Sequence, residues 1–159
     1  MSEGWTRAAH RGVPQRWFED FSVGERYAQP SRTVTGANFA AFQVVSGDNH
    51  ESHYDIEYCR EHGHADLLAH GLQVNCFTAA GAGQFPHEVS ESLVAFLEQS
   101  SKFLKPVVRG DTLYPALEIV ELTPQRTTGV IAMRATIHNQ RGELVLEGEH
   151  RYLIRKRPA

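Results

Sequence analysis

Residues 66–82 read Asp-Leu-Leu-Ala-His-Gly-Leu-Gln-Val-Asn-Cys-Phe-Thr-Ala-Ala-Gly-Ala, and beyond Asp66 the stretch holds no Asp, Glu, Lys or Arg. It is apolar or small on nearly every side. A helix that is apolar all round has no face to offer water, so it belongs inside a fold. Leu72, Val74, Phe77 and Ala79–Ala82 therefore predict one long core helix over 66–82, ending near Gly81, Gly83 and Pro86. Cys76, set mid-helix among apolar neighbours, is expected to be inert core.

Beyond Pro86 the period changes. Residues 93–104, 113–122, 129–138 and 143–154 predict four extended segments. The last alternates, with Leu144, Leu146, His150, Tyr152 and Ile154 on one side and Glu147, Glu149 and Arg151 on the other. The connections, 109–111, 123–125 and 139–142, are rich in turn residues and short enough for antiparallel neighbours. One helix apolar all round, followed by consecutive antiparallel strands, predicts an α+β arrangement with a curved sheet wrapped about the helix.

Upstream, Trp17 to Phe21 is the first aromatic cluster, so residues 1–16 are expected as a flexible arm and 17–159 as a single domain. Arg26 to Val34 reads as an edge strand interrupted by Pro30. Thr35 suits the N-cap of a helix over 36–46, with Phe39, Ala40, Phe42 and Val45 as its apolar face and Gly47 as its end. Asp55 caps a second, short helix over 55–61.

Bulk properties narrow the function classes. A chain of 159 residues fits one domain, and 41% hydrophobic with 22% charged residues describes a soluble globular protein. No apolar run approaches the roughly 20 residues that span a bilayer. A net charge of −3 argues against a nucleic-acid partner. Two cysteines make no disulfide framework, and the N-terminal stretch lacks an apolar signal core, so a cytoplasmic location is expected.

The densest polar chemistry is Ser46-Gly47-Asp48-Asn49-His50-Glu51-Ser52-His53, in the loop between two predicted helices. A carboxylate and an imidazole five residues apart across a turn can face one small volume and share a water. The same residues also suit a turn-stabilising loop, and spacing does not choose between the two. Gly71 opens the apolar helix, where N–H groups lack intrahelical acceptors and a carbonyl oxygen could approach closely. Close helix–sheet packing is the equal alternative. His50, His53, His62, His64, His70 and Cys59 crowd one region, but without CxxC or HExxH spacing no metal site is expected. No GxSxG elbow, GxGxxG or Walker sequence occurs. Lys102, Lys105 and Arg109 are either solvated or placed to grip phosphates.

Taken together, Phe42-(x)3-Ser46-Gly47-Asp48-(x)4-His53-x-Asp55 followed by Ala69-His70-Gly71 resembles the MaoC-like dehydratase and (R)-specific enoyl-CoA hydratase family. Phe103 to Val107 and Gly110 to Leu113 are similar to that family's following strand and turn. The resemblance spans about residues 17–155. It implies the hot-dog fold, a curved antiparallel sheet around a long central helix. It further implies reversible hydration of a 2-enoyl-CoA or dehydration of a 3-hydroxyacyl-CoA, with Asp48 and His53 as the acid–base pair. The Gly71 amide would polarise the thioester carbonyl, and Ser46, Gly47, His50 and His70 would contact substrate. No cofactor is implied beyond the coenzyme A thioester substrate. A homodimer, or a higher homo-oligomer of dimers, is the expected assembly. The family's usual Gly-Asp-x-Asn-Pro-x-His loop is altered here, with His50 and Glu51 at the Asn-Pro positions.

Overall fold

The computed structural model describes Thr6, Ala9, His10 and residues 12–158. Much of the expected arm over 1–16 (residues 1–5, 7, 8 and 11) lies outside the described residues. The end of that stretch is tied down. The Gln15 side-chain amide donates to the His87 carbonyl at 2.9 Å. The Arg16 guanidinium meets Glu25 at 2.7 Å, Glu88 at 3.1 Å and the Tyr27 hydroxyl at 2.9 Å. Packed structure thus begins before Trp17.

A 3₁₀ turn at Phe18–Asp20 leads into two short strands, β1 (Arg26–Ala28) and β2 (Arg32–Thr33). The single strand expected over 26–34 is split because Pro30 has no N–H to donate to a ladder. Helix α1 (Gly36–Ser46) starts on Thr35, whose hydroxyl accepts from the Asn38 N–H. It stops at Gly47, where φ is 72°, the left-handed conformation that glycine adopts without steric cost. Helix α2 (Ile56–Glu61) is capped by the Asp55 carboxylate, which accepts from the N–H groups of Glu57 and Tyr58 at 2.9 and 3.1 Å.

The long core helix expected over 66–82 is instead three pieces. Residues 67–69 are extended, and their backbone groups bond to neighbours: Ala69 N–H to the Val107 carbonyl, and Arg109 N–H to the Leu67 carbonyl. Helix α3 covers only Gly71–Cys76. The Thr78 hydroxyl then donates back to the Asn75 carbonyl, and Ala79 leaves the helical conformation with ψ 116°. A Ser or Thr hydroxyl that bonds locally competes with the helical ladder. A 3₁₀ turn at Ala80–Ala82 and helix α4 (Phe85–Glu88) follow. Nor is α3 buried all round. Val74, Phe77 and Ala80 lie in the core, whereas Leu72 is 67% exposed. Cys76 is exposed and Cys59 is the buried cysteine, so the expectation of Cys76 as core is corrected. On α1, Val45 likewise points away from the core at 85% exposure, while Phe39 is sealed.

Strands β3 (Leu93–Phe103), β4 (Thr112–Pro124), β5 (Thr128–Asn139) and β6 (Leu144–Arg155) form one antiparallel sheet in the order β1-β4-β5-β6-β3, with β2 also pairing on β4. Ile137 opposes Leu146, Met133 opposes His150 and Ile131 opposes Tyr152. These residues line the concave face, where Leu113, Leu117 and Ile119 of β4 join them. Full burial of such side chains stabilises by about 1.5–3 kcal/mol each. Outward positions are charged, as in Arg134 with Glu118 at 2.9 Å and Arg151 with Glu149 at 2.6 Å.

Strand β3 ends the sheet on one side and is bulged at two points along its pairing with β6. At Gly148 the two strands approach so closely that a Cβ would stand 2.0 Å from the Ser100 carbonyl oxygen. Along β3, Phe96, Leu97 and Phe103 are each about half exposed. Among the described residues no helix is long and apolar enough to cross a membrane.

Candidate active site

Asp48 follows the left-handed Gly47, so the chain leaves α1 abruptly and presents its carboxylate at the mouth of the loop. Ser46 fixes that exit. Its hydroxyl donates to the Phe42 carbonyl at 2.7 Å and accepts from the Asp48 N–H at 3.1 Å. Glu51–His53 is a 3₁₀ turn that brings His53 back beneath Asp48. The Asp48 Oδ2 and His53 Nε2 atoms stand 3.9 Å apart. The carboxylate is half exposed, whereas the imidazole is 12% exposed.

Which nitrogen of His53 carries the proton follows from its partner. Nδ1 lies 2.7 Å from the Leu68 carbonyl oxygen, which can only accept. Nδ1 is therefore protonated in the neutral ring, and the Nε2 lone pair faces Asp48. Burial pushes the His53 pKa down, and neighbouring His70 and His50 add to this, outweighing the opposing pull of the Leu68 bond and of Asp48. His53 is thus held as a neutral base.

His70 lies behind this pair. It is 1% exposed and stacks on His53 with ring centroids 3.8 Å apart and planes 25° from parallel. Its Nε2 is 2.8 Å from the Tyr54 hydroxyl and 3.4 Å from the Asp48 carbonyl. The Tyr54 hydroxyl in turn reaches the Asp48 carbonyl at 3.2 Å. Tyr54 and His70 thereby clamp the backbone of Asp48 while the stack fixes the plane of His53. His70 was expected to contact substrate; the structure places it under the site floor.

Gly71 is the first residue of α3, directly after His70. The earliest α3 bond runs from Val74 N–H to the His70 carbonyl, so the N–H groups ahead of it have no acceptor within the helix. The Phe103 ring lies against Gly71, 3.4 Å from where a Cβ would sit. Asp48, His53 and His70 offer oxygen and nitrogen atoms within 4.8 Å of one another, the set that could hold a cation.

His50 and Glu51 sit on the rim. His50 Nδ1 accepts from the Ser52 N–H at 3.3 Å, and its Nε2 is 3.9 Å from the Glu51 carboxylate, both side chains more than half exposed. Two cations considered as phosphate ligands are already engaged, Lys105 by Glu143 at 2.7 Å and Arg109 by Asp66 at 2.8 Å. The sequence reading missed Tyr54, the Leu68 carbonyl and Phe103. Tyr54 could have been found from its place beside His53; the other two are joined to the site only by the fold.

A short central helix lying in the concavity of an antiparallel sheet is the hot-dog fold, with a polar loop and the start of that helix brought together at one end. The family profile of the FAS1-like dehydratase domain region matches residues 22–148, and the chain belongs to this MaoC-like hydratase and dehydratase family. It is 28% identical over 129 residues to a UPF0336 protein of Streptomyces griseus, covering 78% of this chain and 86% of that one. It is 25% identical over 138 residues to an (R)-specific enoyl-CoA hydratase of Rhodospirillum rubrum, covering 87% and 91%. A solved structure described as a monoamine oxidase regulatory protein from Archaeoglobus fulgius superposes with a TM-score of 0.84. Its identity is 31%, over 92% of this chain and 97% of that one.

Proposed function

We propose that the protein catalyses reversible hydration of a 2-enoyl-CoA, or equally dehydration of a 3-hydroxyacyl-CoA, at Asp48 and His53. The observation that carries this reading is the 3.9 Å separation of two acceptors, the Asp48 carboxylate and the Nε2 lone pair of His53. Two acceptors do not bond to each other, but one water about 2.8 Å from each can donate a hydrogen to both. Its oxygen lone pair then points away from the pair, towards a substrate carbon.

With the thioester carbonyl oxygen on the Gly71 amide, the attack places negative charge on that oxygen. The hydrogen bond strengthens as the enolate forms, which is the differential binding that catalysis requires. Water adds to the β-carbon. One of the pair takes its proton, and a proton is delivered to the α-carbon. Family membership supports hydration chemistry in general, and the lowered pKa of His53 supports a base that is neutral at physiological pH. The thioester itself stabilises the α-carbanion, so this mechanism calls for no metal or redox cofactor. Ser46 and Gly47 set the loop, and His50 and Glu51 border the entrance.

The assembly is part of the same reading. β3 is an edge strand with Phe96, Leu97 and Phe103 half exposed, and Leu72 of α3 is uncovered. A second copy of the chain laid against this side would bury them, giving a homodimer. Sedimentation at micromolar concentration should show at least a dimer; a monomer would count against it.

Turnover of a panel of 2-enoyl-CoA and 3-hydroxyacyl-CoA esters, followed by absorbance of the conjugated thioester, tests the reaction. Interconversion without release of free thiol is expected. Release of coenzyme A as the sole reaction would make the protein a thioesterase, and binding without either reaction would make it a non-catalytic acyl-CoA-binding protein.

A further inference from the structure

From Gly71 onwards α3 packs along strand β3. Gly71 and Asn75 lie one above the other on α3, four residues apart, and Thr78 and Ala79 continue that side of the chain. Strand β3 runs opposite: Phe103 lies against Gly71, Gln99 and Ser101 bond to the Asn75 side-chain oxygen at 2.8 and 2.5 Å, and Phe96 comes beside Ala79. Beyond these contacts lies a cavity of about 240 Å³ between the Ala80–Ala82 turn, α4 and the sheet. Its walls are largely apolar, including Phe85, Leu93 and Phe96. Set into them are His150 and Tyr152, 2% and 6% exposed.

The hydrogen bonds of that pair have a fixed direction. The Thr78 hydroxyl spends its proton on the Asn75 carbonyl at 2.8 Å. It can therefore only accept from His150 Nε2, 3.0 Å away, so Nε2 carries the proton. His150 Nδ1 is then a lone pair, and the Tyr152 hydroxyl 3.0 Å from it must donate. Burial holds the His150 pKa at about 4, in keeping with a neutral ring. With its proton committed, the Tyr152 oxygen keeps only acceptor capacity, and it makes no other hydrogen bond among the described residues.

We infer that Tyr152, oriented by His150 and Thr78, is a specificity determinant that accepts a hydrogen bond from a hydroxyl group carried on the far part of the acyl chain. The inference rests on the acyl-thioester reading above, with the acyl chain directed from Gly71 along α3 and β3 towards this cavity. A plain alkyl end leaves the acceptor unpaired. An ether or ketone end opposes acceptor to acceptor.

Equilibrium binding of saturated, unreactive acyl-CoA esters tests this separately from turnover. The probes are matched chains ending in methyl, hydroxyl or methoxy groups, measured by calorimetry at a series of lengths. At the length that reaches Tyr152, the wild-type protein should bind the hydroxyl ester at least about fivefold tighter than the methyl ester, the size of one net hydrogen bond, with the methoxy ester weakest. Tyr152→Phe keeps the ring stacked on Phe96 and removes the acceptor, so the hydroxyl ester should bind no tighter than the methyl ester. Thr78→Val frees His150 to carry its proton on Nδ1, so the Tyr152 hydroxyl can donate into the cavity and the methoxy ester should gain. Equal binding of methyl and hydroxyl esters at every length, or a Tyr152→Phe variant that weakens both alike, overturns the inference. Loss of turnover on all esters with the hydroxyl preference intact would instead overturn the hydration reading alone.

Discussion

The two ends of the concave sheet face are covered in different ways. At one end Phe18, Phe21, Tyr27, Phe85 and Tyr152 pack aromatic surface on Ile131, Met133 and Ile154. Phe85 alone touches three other rings at centroid distances between 5.2 and 5.9 Å. At the other end the cover comes from α1, α2 and the chain entering α3, and beside its apolar residues stand Asp48, His53 and His70. Each end encloses an imidazole. His150 has both nitrogens satisfied by hydroxyls, whereas His53 has one nitrogen tied to a carbonyl and the other turned to a half-exposed carboxylate. Two satisfied nitrogens hold the His150 ring in place, whereas His53 keeps one nitrogen turned towards a carboxylate and solvent.

The largest effect separating the two ends should come from the loop. Asp48→Asn and His53→Gln are each expected to lower kcat on a 2-enoyl-CoA by at least about a hundredfold, since losing an acid–base group typically costs 10²–10⁴. Melting temperature should barely move. Near-wild-type turnover in both variants would erase the distinction. At the aromatic end the larger effect should fall on stability: Phe85→Ala should destabilise the fold by about 3–5 kcal/mol in urea titration.

Acid should read out the two imidazoles separately. The His150 pKa in the fold, about 4, is below its value near 6.5 in an unfolded chain. The unfolded chain therefore takes the proton first. The contribution is fully present above about pH 6.5 and falls away as pH drops towards 4, amounting to at most about 3 kcal/mol. Urea midpoints across that range should show it, and His150→Phe should flatten it. A smaller effect belongs to His53, whose pKa is also lowered. The acid limb of kcat/KM should lie below the ordinary histidine value of about 6.5. A limb above that value would mean that the pull of Asp48 outweighs burial.

Local signals survived the passage from sequence to structure, and those that depend on a neighbour did not. Thr35, Gly47 and Asp55 act within a few residues of themselves, so α1 and α2 begin and end close to where composition places them. Alternation in β6 correctly assigned Leu146, His150 and Tyr152 inward, because pleating alone decides which face a residue takes. Residues 66–82 failed as one helix for the opposite reason. Small and apolar composition reports that a segment is covered, not its conformation. Here extended pairing with 107–109 and the Thr78 hydroxyl each break the helix. The site divides in the same way. Asp48, His53 and Gly71 were singled out by the resemblance of their loop and helix start to a known family, since spacing alone left a turn-stabilising loop open. The Leu68 carbonyl that sets the His53 tautomer, and Phe103 beside Gly71, come together only through folding. One clue was available: His150 is a lone polar residue among inward-facing apolar positions of its strand.

The close approach of backbone at Gly148 has a consequence for how this protein can change over generations. Any side chain there would push against the Ser100 carbonyl, so the spacing between β6 and β3 is held by main chain and not by the residues that happen to project from it. Side chains of β3 such as Phe96 and Gln99 can then be exchanged while the frame stays in place. Substitutions along that one strand can then reshape the pocket beside Thr78 and Ala79 without moving the backbone that frames it.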